Sequence, residues 1–505
     1  MGRGRFFIGV VVLTLLLGLA AAPAQAKDYY ISQYGKGSGT SCSNTLPVTW
    51  FWNSGAYLGY GNTVHLCGTF TGGGNWQMLV VKSDGLTIKF ESGAKLLSPA
   101  WSVNGAIGAQ GRKNVVVDGG GTGYIGNTAN GTGKNHQTSV AVNFGGCTGC
   151  TVKYITIGNL YVHTSTSDSS VNQTLVNCVN FTYANNVTID HVTCHDVGWA
   201  FAGVGNNFTL QYSTAYNIDH GVAFGANGTQ SGISIHDNHF YNFANWDTTN
   251  NAYHHDGIHM WGQHGKITSG NIYSNRFDGD SGVNITGFIF LQDSIQHVSV
   301  YNNVFNTPTN RTMRSIWFEA TSTSMANGNA IGNSAHNNTV NAGGHSGGSG
   351  MMIDNQIGFS GYNNLLMGGQ SDVTIRFGTT LAGLNNNVYV DMASFSGDRN
   401  TFSYTGKSYQ TLDQWKGVCR CDGNSKFLTP SQVKLSSTGQ LQTGSAAIGA
   451  GANLTNVASG DLAGLGSDII GAPRPTTGSW DAGAFQTGST PARPAAVGAI
   501  RASVN

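Results

Sequence analysis

Histidines and aspartates crowd one stretch of this chain: His195, Asp196, Asp219, His220, His254, His255, Asp256 and His259. Five of its 15 histidines fall there. An imidazole held against a carboxylate is fixed in one tautomer and made more basic, which suits a general base. A second group combines Glu319, Asp354 and Arg376. Two carboxylates brought close repel, so one stays protonated unless a cation intervenes. Such a pair is what a retaining glycosidase uses, and it is equally what a surface ion-pair ladder with Arg376 would contain. Trp261 and Trp317 offer either sugar platforms or ordinary packing. Asp196, Asp219 and Asp256 carry oxygen ligands suited to Ca²⁺, and several imidazoles would suit another divalent metal. No HExxH motif accompanies them.

These residues can cooperate only if distant segments are stacked. Short alternating strands begin at Val187, Phe208, Ile233, Lys266 and Val298, spaced 21, 25, 33 and 32 residues apart. Each is followed by an Asn- or Asp-containing turn, as in DNHFYNF, SNRFDGD and YNNVFNT. Such a repeat predicts a solenoid of β-coils. Asn suits the left-handed corners, and stacked Asn side chains can satisfy backbone groups there. A second strand recurs as GWAFAG (198–203), GVAFGA (221–226), GIHMWG (257–262), GFIFLQ (287–292), SIWFEA (315–320), GMMIDN (350–355) and DVTIRF (372–377). Its second and fourth residues, among them Trp199, Phe201, Ile258, Met260, Phe288 and Phe290, are expected to point inward. The outward columns then place His220 beside Asp256, Asp219 beside His255, and Asp196 beneath Asp219. Small Ala200, Ala202, Ala223 and Gly225 would leave room for a ligand.

This pattern resembles the right-handed parallel β-helix proteins of the pectate-lyase-like superfamily, over roughly residues 60–400. Three C-terminal pieces add to it: Ser445–Gly451, Gly471–Pro475 and Asp481–Phe485. They resemble an ending common in secreted bacterial β-helix proteins. The resemblance implies an all-β fold, an extracellular polysaccharide as partner, and a lyase that cleaves a uronic-acid glycan by β-elimination. No outward strand position carries a Lys, so His220, His255, Asp256 and His259 are the expected proton-transfer groups. Arg314 or a bound metal would neutralise the uronate carboxylate. Trp261, Trp317, Glu319, Asp354 and Arg376 would bind substrate, and Asp196 and Asp219 a metal. A glycoside hydrolase, a C5-epimerase and a non-catalytic, adhesin-like glycan binder remain alternatives.

Composition agrees. Charged residues are 10% of the chain against about 25% in ordinary proteins. The net charge of +1 without basic runs disfavours nucleic acid. Arg3 and Arg5, an apolar run and Ala24-Gln25-Ala26 read as an export signal over 1–26, giving a secreted or periplasmic protein without a membrane span. An N-terminal cap is expected over 27–70, the β-helix over 71–430, its C-terminal end over 431–486 and a flexible tail over 487–505; a monomer is expected. Export permits disulfides among the eight cysteines. Cys42 and Cys67 would clip the cap. A structural bridge is expected for Cys147 and Cys150, whose CxxC spacing also fits half a zinc site or a redox pair.

Overall fold

The computed structural model describes residues 26–74, 76–129, 138–160, 176–243, 255–282, 285–307, 314–320, 328–342, 348–391 and 401–488. The expected signal, most of the expected tail and His254 lie outside them. Among the described residues thirty-six strands join in one sheet, wound as a right-handed parallel β-helix. One wall of the helix is formed by twelve strands. They are β1 (Leu79–Val80), β2 (Ile107–Gly108), β3 (Ser139–Asn143), β4 (Val176–Thr182), β5 (Thr193–Val204) and β6 (Thr214–Gln230). There follow β7 (His255–Ile267), β8 (Ile285–Gln292), β9 (Arg314–Glu319), β10 (Ser349–Ile353), β11 (Ser371–Ile375) and β12 (Phe402–Tyr404). Each pairs in parallel with the next. Inside, Phe201, Val222, Ile258, Ile289, Ile316, Met351 and Val373 stack as one buried column.

The Asn-rich turns have a two-residue logic. In Asn302-Asn303, Asn337-Asn338, Asn363-Asn364 and Asn386-Asn387 the first residue takes the left-handed corner, with φ between 49° and 60°. The second points into the core. Asn238, Asn275, Asn303, Asn338, Asn364 and Asn387 form a continuous buried ladder. Each Nδ2 donates to the next Oδ1 at 3.0–3.1 Å, as Asn275 does to Asn303 and Asn303 to Asn338. Each Oδ1 beyond the first also accepts the backbone N–H of the Asn one rung before, at 2.9–3.1 Å. The second amide hydrogen goes to a strand carbonyl, from Leu210 at one end to Gly361 at the other. Every polar atom of the buried amides is therefore used, as burial requires.

Helix α1 (Val48–Asn53) inserts Phe51 against the first coils, and Cys42–Cys67 ties that segment to the solenoid. At the other end α2 (Leu412–Cys419) places Trp415 against Phe402, centroids 5.1 Å apart. Asp422 there accepts bonds from Trp415 Nε1 and the Tyr389 hydroxyl, both at 2.7 Å. Residues 433–485 run back along the flank of the helix. Val433, Ala447 and Ala482 pack on Leu365 and Val388, Trp480 joins Tyr301, and Phe485 joins Val304. The corner asparagines hold it: Asn363 pairs with both backbone groups of Ala452, and Arg474 donates to Asn302 Oδ1 at 3.0 Å. Cys178–Cys194 and Cys419–Cys421 are the further disulfides. Contrary to expectation, Cys147 and Cys150 are buried thiols, Cys147 Sγ donating to Ala109 O at 2.9 Å. Both face the core, where each thiol has a carbonyl partner.

Asn303→Ala removes the partner of the Asn275 amide and backbone N–H and of the Asn338 oxygen. It is expected to cost about 2–4 kcal/mol, read as a lowered urea midpoint. Asn386→Gly keeps the left-handed corner and should change stability by only about 0.5 kcal/mol.

Candidate functional site

The candidate residues stand on the outer face of the wall, in three columns fixed by strand register. One runs through Trp199, His220, Asp256 and Gly287, with Arg314, Ser349 and Ser371 continuing it above. The next holds Ala202, Ala223, His259, Phe290, Trp317, Met352 and Thr374. The third holds Gly225, Trp261, Gln292 and Glu319. Two expectations are corrected here. Phe201, not Trp199, pairs with Val222, so Trp199 stands outside beside His220, while Ala200 is packed in the core. A bulge between His255 and Asp256 moves the following rung by one residue. Phe290 is thereby turned outward and Ile289 inward, because side chains alternate with period two.

The structure brings Asp219, His220, His255 and Asp256 together as expected, but it buries them: none is more than 1% exposed. His220 Nδ1 lies 2.6 Å from Asp219 Oδ2, and its Nε2 3.4 Å from Asp256 Oδ2. His255 Nε2 is 3.2 Å from Asp219 Oδ1, and Asp256 Oδ1 accepts the Gly287 N–H at 3.0 Å. Burial disfavours the imidazolium of His220, yet Asp219 and then Asp256 outweigh it and hold its pKa up at about 9. His220 is thus held between two carboxylates and closed off from solvent. The Trp199 ring covers it at 5.0 Å, and Trp261 crosses Trp199 at 6.2 Å. Trp261 can lie back only because position 225 is Gly: a Cβ there would meet its indole at 2.8 Å. The small residues expected to open a ligand space thus admit a tryptophan instead. His259 is 7% exposed, between Trp261 at 4.7 Å and Phe290 at 4.7 Å, with Nε2 3.3 Å from Gln292 Oε1.

The Ca²⁺ expectation does not fit. Asp196 sits at a left-handed corner, its oxygens engaged by His195 Nδ1 at 2.6 Å and Asn217 Nδ2 at 3.0 Å. Asp219 faces two imidazoles. Neither belongs to the six to eight oxygens that Ca²⁺ gathers. The ligand atoms of His220, Asp256 and His259 lie within 4.8 Å of one another. A transition ion there would have to displace the proton that His220 holds.

Two rungs further on the wall opens. A cavity of about 380 Å³ is lined by Arg314, Met352, Arg376 and the hydroxyls of Ser349, Ser371, Thr374, Ser403 and Ser408. Ser349, Ser371 and Thr374 bond one another at 2.8–3.0 Å. The Arg314 guanidinium lies 3.9 Å over Trp317 and its Nε contacts Met352 Sδ at 3.0 Å. Trp317 stacks on Phe290 at 4.3 Å with its other face, so neither face is left as the expected sugar platform. Beside it Glu319 is 6% exposed, and its Oε2 has no hydrogen-bond partner among the described residues. Burial first, then the Asp293 charge, raise its pKa to about 7. Burial likewise raises Asp354 against the pull of Arg376, whose Nη1 lies 3.3 Å from Asp354 Oδ2. Sequence reasoning missed the serine floor, since Ser349, Ser371, Ser403 and Ser408 carry no local motif.

The His220 network makes a signed prediction. Its folded pKa of about 9 exceeds the ordinary 6.5. The stabilisation is therefore complete below about pH 6.5 and lost as pH rises through about 9. On the order of 3 kcal/mol should disappear between pH 7 and 10. Urea unfolding of wild type and His220→Gln checks this; parallel pH curves would contradict it.

No family model and no curated protein matches the sequence. Among solved structures the chain is similar to pectate lyase Pel9A, at 12% identity over 92% of this chain and 97% of that one, with a TM-score of 0.39. It is similar to the lacto-N-biosidase of glycoside hydrolase family 136 from Eubacterium ramulus, at 12% identity, over 75% and 67% of the chains and a TM-score of 0.45. A PL6 alginate lyase in complex with a trisaccharide aligns at 10% identity over 82% and 91%, also with a TM-score of 0.45.

Proposed function

We propose that this chain is a secreted enzyme that cleaves a uronate-containing polysaccharide by β-elimination at the Arg314 cavity. The observation that carries the reading is a cavity that sets two arginines, Arg314 and Arg376, over a floor of serine and threonine hydroxyls, with Glu319 outside its lining at the far end of the Arg314 strand. Arg314, held by Trp317 and Met352, would take the uronate carboxylate, with Arg376 at the rim. The serine and threonine hydroxyls would take sugar oxygens. Glu319, with its pKa near 7, is in the range that favours proton abstraction. The α-carbon proton passes to the Glu319 carboxylate. The C–H electron pair becomes the C=C bond, and the glycosidic oxygen leaves with a proton from solvent. Arginine stabilises the negative charge that develops on the carboxylate. His220, His255 and Asp256 act here as a buried charged scaffold, and His259 lines the wall between that scaffold and the cavity. Three disulfides suit an oxidising, extracellular setting.

A hydrolase is the second reading. It is favoured by Glu319 and Asp354, two carboxyl groups on adjacent rungs with raised pKa values.

Mature protein is to be incubated with polygalacturonate, alginate and glucuronan, following unsaturated product by ultraviolet absorbance and new reducing ends. The expected outcome is both signals together, with kcat rising through about pH 7 as Glu319 ionises. Glu319→Gln should lower kcat roughly 10²–10⁴-fold, and Arg314→Ala should abolish turnover of the uronate polymers. Reducing ends without unsaturation would establish the hydrolase. Binding without either product would establish a non-catalytic glycan binder.

A further inference from the structure

The same wall carries a second cleft at its N-terminal end. It has a volume of about 240 Å³ and is lined by Trp52, Trp76, Gln77, Val80 and Lys82, over buried Met78. Trp76 is 37% exposed, a rare state for the largest apolar side chain. It meets Trp52 edge-on, with centroids 5.4 Å apart and planes at 65°. The Trp52 indole N–H is committed to Met78 O at 2.9 Å, which fixes its ring. Gln77 is anchored by Asn104 O at 3.0 Å. Lys82 brings a positive charge, its Nζ bonded to the Tyr57 hydroxyl at 2.9 Å and lying over that ring at 4.8 Å.

Strand register relates this cleft to the Arg314 cavity. Val80 begins the outward column that passes through Gly108, Asn143 and Asn180 before reaching Ala202 and, further on, Trp317. Eight rungs separate Val80 from Trp317, roughly 38 Å at about 4.8 Å per rung. The two depressions therefore share one face and one axis, and each carries cationic side chains. A rigid, half-exposed indole pair suits the apolar face of a pyranose ring, whose hydroxyls lie at its edge. The lysine suits a carboxylate on that ring.

We infer that the Trp52–Trp76 cleft is a distal binding site for the same uronate polysaccharide, holding a remote part of the chain while the Arg314 cavity holds another. This rests on the function proposed above. A polymer long enough to reach both sites gains effective concentration at the second once the first is filled, whereas a trisaccharide cannot bridge them.

The test compares wild type and Trp76→Ala on one polymer, polygalacturonate or alginate, and on its trisaccharide. The readout is the ratio of the trisaccharide KM to the polymer KM. The distal site predicts that this ratio falls roughly tenfold in Trp76→Ala, and that Lys82→Glu lowers it too, in a salt-sensitive way. A ratio equal to that of wild type in both variants overturns the distal site and leaves the Arg314 reading standing. Wild type that neither binds nor cleaves polymer or trisaccharide overturns both. Exposed Trp76 carries little of the core, and equal thermal midpoints would show that the variant is folded.

Discussion

A stack of parallel coils must turn at every corner, and each turn buries backbone amides that the sheet does not pair. Unsatisfied, each would cost on the order of 1–3 kcal/mol. The buried asparagine ladder from Asn238 to Asn387 meets this constraint. One amide side chain per coil closes the bonds of its own corner and of the neighbours on either side. The ladder also fixes register, since a one-residue slip would exchange the buried asparagine with its outward partner. Register in turn decides which side chains share an outward column. The chemistry of the wall is thus set on a different face of the coil from the one where it would act.

The corner asparagines do a second task. Asn302, Asn337 and Asn363 turn outward and bind the returning C-terminal segment through Arg474 and through the backbone of Ala452, Asp481 and Gly483. The flank is covered by a strap rather than left as exposed apolar side chains such as Val304 and Leu365. Asp481 closes the strap on itself, accepting the Gly449 N–H at 2.8 Å. The wall bearing Arg314 and His259 is not the surface that this strap packs against.

Two electrostatic environments, around His220 and around Glu319, lie three rungs apart on that wall. Around His220, two carboxylates surround one imidazole, and their charges overcome desolvation to keep it protonated. Around Glu319, burial works on a carboxyl group with a second acid nearby and an arginine already engaged by an aromatic ring. The first arrangement locks a proton in place; the second leaves one free to exchange near neutrality. Phe290 and Trp317, stacked between His259 and Arg314, keep the two apart with apolar surface.

The sequence by itself determined the solenoid. Period-two alternation and the Asn-Asn corners are local, and their repetition is visible without any long-range contact. The pairing of His220 with Asp256 and of Asp219 with His255 was legible for the same reason, since the bulge between those two strands falls beyond Gly225, after these residues. What only the tertiary structure decided was accessibility. The bulge at His255 turned Phe290 outward, the register of β5 moved Trp199 over His220, and Gly225 let Trp261 fold back. Burial is a property of all neighbours at once, so a histidine and aspartate cluster that reads as a catalytic surface became an interior. The serine-floored cavity around Arg314 was hidden for the converse reason. Its lining comes from single residues on successive coils, and nothing but stacking makes them adjacent.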